Sequence, residues 1–152
     1  MATDRDHEML MRRALDLARE AGERGEVPVG CVIARGDEIL AEASNRREAD
    51  RDPTGHAEIL AIRMACARIG SWRLEGTVLV VSCEPCPMCA GAIVQARVPL
   101  VVYGCDDPKG GGVRSRYGIG VDGALNHRYE LVSGVLADES ASLLRVFFSR
   151  LR

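Results

Sequence analysis

The stretch from His56 to Cys89 constrains this chain most. It opens with His56-Ala57-Glu58 and closes with Pro85-Cys86-Pro87-Met88-Cys89. One neutral imidazole and two thiolates suit Zn²⁺, and a tetrahedral ion with three protein ligands keeps one position for water. Such an ion lowers the pKa of its water from about 16 to about 7, and a neighbouring carboxylate can take the released proton. His56, Cys86 and Cys89 are therefore the candidate ligands, with Glu58 as the candidate proton carrier.

The other cysteines offer competing readings. With Cys83, the set Cys83-x-x-Cys86-x-x-Cys89 plus His56 would close a four-ligand structural zinc site and make the protein a zinc-stapled binding module. That arrangement would leave Glu58 without a purpose, and Cys83 falls at a strand end, upstream of the helix that aims Cys86 and Cys89. An iron–sulfur ligand run needs a further cysteine at suitable spacing, which is absent. Cys31, Cys66 and Cys105 each lie in an apolar segment and read as small core residues.

Around this stretch the periodicities order the chain. Leu10, Ala14, Leu17, Ala18 and Ala21 predict an amphipathic helix over about Asp6 to Ala21. Val27 to Ala34 and Ile39 to Ala43, separated by Gly36-Asp37, predict a hairpin. Asp52-Pro53-Thr54 reads as the start of a helix running to Gly70, which puts His56 and Glu58 in its first turn. Thr77 to Ser82 is a strand, a helix follows from Pro87 to Ala96, and Val98 to Tyr103 is another strand. Tyr129 to Ser133 and Asp138 to Arg150 complete the order as a strand and a helix, with Phe147-Phe148 read as core on one side, or as a nucleic-acid-binding end or a partner interface. The expectation is one domain over residues 1–152, an α/β fold with a central mixed sheet of five strands and helices on both faces.

The charged N-terminus has no apolar region behind it and no stretch approaches the roughly 20 apolar residues that span a bilayer, so no membrane is expected. The net charge of −2 lacks the overall basic footprint of a dedicated nucleic-acid binder. Its distribution is uneven: residues 97–152 carry 7 Arg and one Lys against 6 acids, whereas residues 1–96 carry 12 Arg against 16 acids. A polyanion would favour the C-terminal third. The single lysine, Lys109, sits in Asp106-Asp107-Pro108-Lys109-Gly110-Gly111-Gly112, a loop that reads as a substrate lip, with Arg114 and Arg116 close behind. Asn45, just after the second strand, offers a side chain that both donates and accepts, as a purine pocket requires, or serves as a turn residue.

H-x-E followed about 30 residues later by P-C-x-x-C is the signature of zinc-dependent nucleobase deaminases. Asp52-Pro53-Thr54-Gly55-His56-Ala57-Glu58, Glu84-Pro85-Cys86-Pro87-Met88-Cys89-Ala90-Gly91-Ala92, Asp107-Pro108-Lys109 and Asn126-His127-Arg128 together resemble the bacterial tRNA adenosine deaminases, over nearly the whole chain. The resemblance implies a cytidine deaminase-like three-layer α/β/α sandwich, one Zn²⁺ per subunit, a homodimer in the cytoplasm, and conversion of the wobble adenosine of a tRNA anticodon stem-loop to inosine. It implies zinc on His56, Cys86 and Cys89, proton shuttling by Glu58, and a hydrogen bond from Asn45 to the flipped base. Val29 and the backbone near Cys83 and Glu84 would line the pocket, and Asp107, Lys109, Asn126, His127 and Arg128 would face RNA. Ser82-Cys83-Glu84 and Ala61-Ile62-Arg63-Met64-Ala65-Cys66 look more like the related free-base guanine deaminases, which supply the alternative substrate.

Overall fold

In a computed structural model that describes residues 4–151, the elements are α1 (Asp4–Glu23), β1 (Gly30–Arg35), β2 (Glu38–Ser44), α2 (Arg47–Asp50), α3 (Ala57–Ile69), β3 (Val78–Cys83), α4 (Pro87–Gln95), β4 (Leu100–Cys105), β5 (Glu130–Val132) and α5 (Ala137–Arg150). The strands form one sheet in the order β2-β1-β3-β4-β5. β1 is antiparallel to β2 and β3, while β3, β4 and β5 run parallel. The carboxyl ends of β3 and β4, at Cys83 and Cys105, therefore lie together, on the edge where Gly30 opens β1 and Ser44 closes β2.

Strand alternation sorts the core into two layers, because successive side chains point to opposite faces. Cys31, Ile33, Leu79, Val81, Val101 and Tyr103 face α3 and α4, where Ala57, Ala61, Ala65, Ala90, Ile93 and Val94 meet them. Val32, Ala34, Val78, Val80 and Val102 face the other way, onto Met11, Ala14, Leu15 and Leu17 of α1 and Leu143 of α5. Small alanines on α3 let that helix lie close to the sheet. At Gly30 the approach is closer still, since a Cβ there would stand 2.9 Å from the Ala18 nitrogen and press into the Ala14 carbonyl.

One expectation is corrected, and a short helix is added. The helix read from Asp52-Pro53-Thr54 begins later, at Ala57. Asp52 instead accepts hydrogen bonds from the Thr54 N–H at 2.8 Å and the Thr54 hydroxyl at 2.7 Å, closing a local turn. The polar segment after β2 contains the short helix α2, whose first N–H groups are capped from a distance: the buried Glu26 carboxylate accepts from Glu48 N at 3.1 Å and Ala49 N at 2.8 Å. Each strand is otherwise displaced by one to three residues from its expected bounds.

Candidate active site

His56 is the residue immediately before α3, with φ −80° and ψ 149°, and Cys86 holds the same position before α4, with φ −71° and ψ 171°. Pro87 follows at the first helical position, where its missing N–H costs nothing. Two helix N-termini thus meet at one point, and their dipoles favour the thiolate form of Cys86 and Cys89. His56 Nδ1 lies 3.6 Å from Cys86 Sγ and 3.4 Å from Cys89 Sγ, and one ligand atom of each residue falls within 4.8 Å of the others. Tetrahedral zinc bonds of about 2.0–2.3 Å place neighbouring N and S donors about 3.6 Å apart, so this donor set fits a single zinc ion.

Glu58 stands in the first turn of α3, 4% exposed, with the Cys89 thiol near enough to act on its carboxylate. Burial pushes its carboxyl up to about 7. The Cys86 thiol is held down at about 4, first by the hydrogen bond from Cys89 and then by that from His56, whereas Cys89, as the donor and itself buried, is pushed up.

Cys83 takes no part in this cluster. Among the described residues the metal-competent group is His56, Cys86 and Cys89, while Cys83 sits opposite Cys105 in the β3–β4 register. The hydrogen bond to Cys105, then burial, push the Cys83 thiol up. A closed four-ligand structural site therefore finds no support in the geometry.

Asn45 and Val29 lie at the same edge of the sheet. The buried Asn45 amide donates to the Val27 carbonyl at 3.1 Å and accepts from Ala57 N at 2.8 Å, while its backbone N–H donates to the Val29 carbonyl at 3.2 Å. One N–H and one lone pair of the side-chain amide remain. Asn45 thereby ties the end of β2 to the helix start that carries His56 and Glu58. Val29, half-buried, packs on the core beside it.

The loop after β4 comes to this edge as well. Asp107 accepts from Lys109 N and Gly110 N, both at 3.2 Å, and Lys109 is exposed. Glu84 is 4% exposed and receives hydrogen bonds from Asp107, Val113, Arg114 and Ser115. Burial alone would raise its carboxyl, but the bonds from Ser115, Asp107 and Arg114 outweigh it and hold the group below the usual carboxylate range. Asn126, His127 and Arg128 are placed elsewhere. They precede β5, which pairs in parallel with the start of β4, and His127 Nε2 lies 2.7 Å from the Val98 carbonyl at the opposite end of the strands from Cys105. The roles of Glu26 and of the Glu84 carboxylate have no local signal in the sequence. The Gly110-Gly111-Gly112 run was the one visible hint that backbone packs tightly there.

Comparison with known proteins agrees with this architecture. Residues 4–105 match the cytidine and deoxycytidylate deaminase zinc-binding region. A tRNA-specific adenosine deaminase of Bacillus subtilis is 47% identical over 145 residues, which cover 95% of this chain and 90% of that protein. The chain belongs to the tRNA-specific adenosine deaminases. Among solved structures, one described as a study of A-to-I editing by tRNA:A34 deaminases at the wobble position matches this family member with a TM-score of 0.86 and 44% identity, over 90% of this chain and 99% of the other. A guanine deaminase from Nitrosomonas europaea is more distant, with a TM-score of 0.77 and 25% identity over 93% of this chain and 84% of its own. The shared fold is thus the cytidine deaminase-like α/β sandwich expected from the motifs.

Proposed function

We propose that this protein hydrolyses adenosine to inosine at the wobble position of a tRNA anticodon stem-loop. The observation that carries the reaction type is the buried Glu58 carboxylate set beside the convergent His56, Cys86 and Cys89 side chains. The likeness to tRNA-specific adenosine deaminases along 95% of the chain supports the substrate.

In this reading His56, Cys86 and Cys89 hold one zinc ion per subunit, which when bound supplies the Lewis acidity that makes water nucleophilic at neutral pH. Glu58 takes a proton from the attacking water at a carboxylate oxygen. It passes that proton to the ring nitrogen beside C6 and serves again as the exocyclic nitrogen leaves as ammonia. Its burial keeps bulk water from competing for the proton. Asn45 has one donor and one acceptor position left with which to orient the flipped base, and Val29 walls the pocket beside it. Lys109, on the exposed loop, meets the RNA backbone. A second copy of the chain completes the assembly in the cytoplasm, consistent with exposed Met64 and Met88 on the packed helices α3 and α4. Among the described residues no helix is long and apolar enough to cross a membrane.

Glu58→Gln tests the assignment because it keeps the shape of the side chain and removes its basicity. The variant should bind zinc as the parent does and lose deamination of an adenosine-containing anticodon stem-loop by a factor of about 10² or more. Retained turnover would contradict the role of Glu58.

A further inference from the structure

The metal ligands and Glu58 leave unexplained a second buried carboxylate at the same edge of the sheet. Glu84, at the end of β3, is 4% exposed. No cation approaches it as an ion-pair partner among the described residues. Its partners are hydrogen-bond donors of the loop that follows β4. Oε1 receives the Asp107 N–H at 3.0 Å and the Ser115 hydroxyl, and Oε2 receives the N–H groups of Arg114 at 3.0 Å, Ser115 at 2.9 Å and Val113 at 3.4 Å. Both carboxylate oxygens are thus spent on ordering one loop, 23 to 31 residues further along the chain.

The same loop is pinned to the metal-ligand segment by backbone. Gly112 N donates to the Pro85 carbonyl at 2.7 Å, and Glu84 N donates to the Cys105 carbonyl at 2.9 Å. Two glycines make the approach possible: a Cβ on Gly111 would press into the Glu84 carboxylate, and one on Gly112 would stand 2.7 Å from the Cys86 carbonyl carbon and Pro87 nitrogen. On its outer side the loop and its continuation expose Lys109, Arg114, Arg116 and Tyr117, the last 56% exposed. Cations together with an aromatic face suit an RNA strand with unstacked bases.

We propose that Glu84 is a positioning residue for RNA: its buried carboxylate templates the 107–115 loop and so fixes the basic and aromatic lip relative to His56, Cys86 and Cys89. The inference rests on the RNA reading given above. The requirement is for an acceptor on both oxygens. An ionised carboxylate has only acceptors, whereas a glutamine in its place would turn an NH₂ group toward N–H donors. With a preformed lip, binding spends little energy on ordering the loop; without Glu84 that ordering is charged to RNA affinity.

Glu84→Gln, Ser115→Ala and Gly111→Ala, each loaded with zinc, test this. Ser115→Ala removes one donor, and Gly111→Ala displaces the loop while leaving Glu84 intact. The first readout is amide hydrogen exchange, which needs no activity. Exchange over residues 107–115 should rise about tenfold or more in Glu84→Gln while α3 and α4 stay as protected as in the parent. The second is kinetics on an adenosine-containing anticodon stem-loop: KM should rise about tenfold in Glu84→Gln and Gly111→Ala, and less in Ser115→Ala, with kcat falling less than about threefold. An unchanged KM, a fall in kcat alone, or loss of protection spread equally over α3 and α4 would overturn the proposal. Should Glu84→Gln not fold, the KM and loop exchange of Ser115→Ala and Gly111→Ala decide by the same criteria. If the parent deaminates no RNA, the proposed function fails, and the exchange result alone still decides whether Glu84 sets the loop.

Discussion

Asn45 Oδ1 accepts the backbone N–H of Ala57 at 2.8 Å, so the residue that follows β2 holds the first residue of α3. His56 and Glu58 flank the residue it holds. Replacing Asn45 by Ala leaves the Ala57 N–H and the Val27 carbonyl without this partner in a buried setting, which costs about 1–3 kcal/mol. Asn45→Ala should lower the midpoint of thermal unfolding and depress kcat/KM together. A variant as stable as the parent would show that the tie carries little.

Cys83 separates the open site from the closed one. Because it faces Cys105 across the β3–β4 register and lies outside the His56, Cys86 and Cys89 group, Cys83→Ser should keep the parent's zinc content. Cys86→Ser and Cys89→Ser should lose most of it, since a weak hydroxyl replaces a thiolate ligand. Elemental analysis of purified protein measures this directly, and zinc loss from Cys83→Ser would argue for four protein ligands.

Gly30 lets α1 press against β1. A methyl group there would collide with the Ala14 carbonyl and stand 2.9 Å from Ala18 N and Leu17 Cβ; the two backbone atoms lie within α1 and have little freedom to give. Gly30→Ala should destabilise by about 1–3 kcal/mol or more. For a chain of this length that is a fall of roughly 2–12 °C in unfolding midpoint, readable by circular dichroism.

His127 is anchored at the far end of β4, against the Val98 carbonyl at 2.7 Å. If that anchor is its main task, His127→Ala should cost about 0.5–1.5 kcal/mol of stability and leave RNA affinity within about twofold once the protein is folded. A large loss of affinity at unchanged stability would instead mark the Asn126-His127-Arg128 segment as an RNA contact.

Much of this arrangement was legible in the sequence because its signals are local. The unbroken apolar run from Val78 to Val81, the Pro87 that opens α4, and the heteroatoms of His56, Cys86 and Cys89 each announce themselves within a few residues. What could not be read depends on distant partners. Glu26 caps α2 from more than 20 residues away, and Glu84 gathers donors from a loop beyond another helix and strand. The false helix start at Asp52 has the opposite cause. An Asp followed by Pro and Thr satisfies both a helix cap and a local turn, and here the Thr54 donors chose the turn.

Whether this site acts on adenosine within RNA or on a free purine is decided by its products. Zinc-loaded protein should be incubated separately with a stem-loop bearing adenosine at the first anticodon position and with free guanine, following inosine, xanthine and ammonia. Inosine should form in the RNA, with one ammonia released per inosine formed and no xanthine from guanine. Xanthine from guanine with the RNA left unchanged would contradict it, and would mean that the likeness of the Cys83 region to guanine deaminases reports the true substrate.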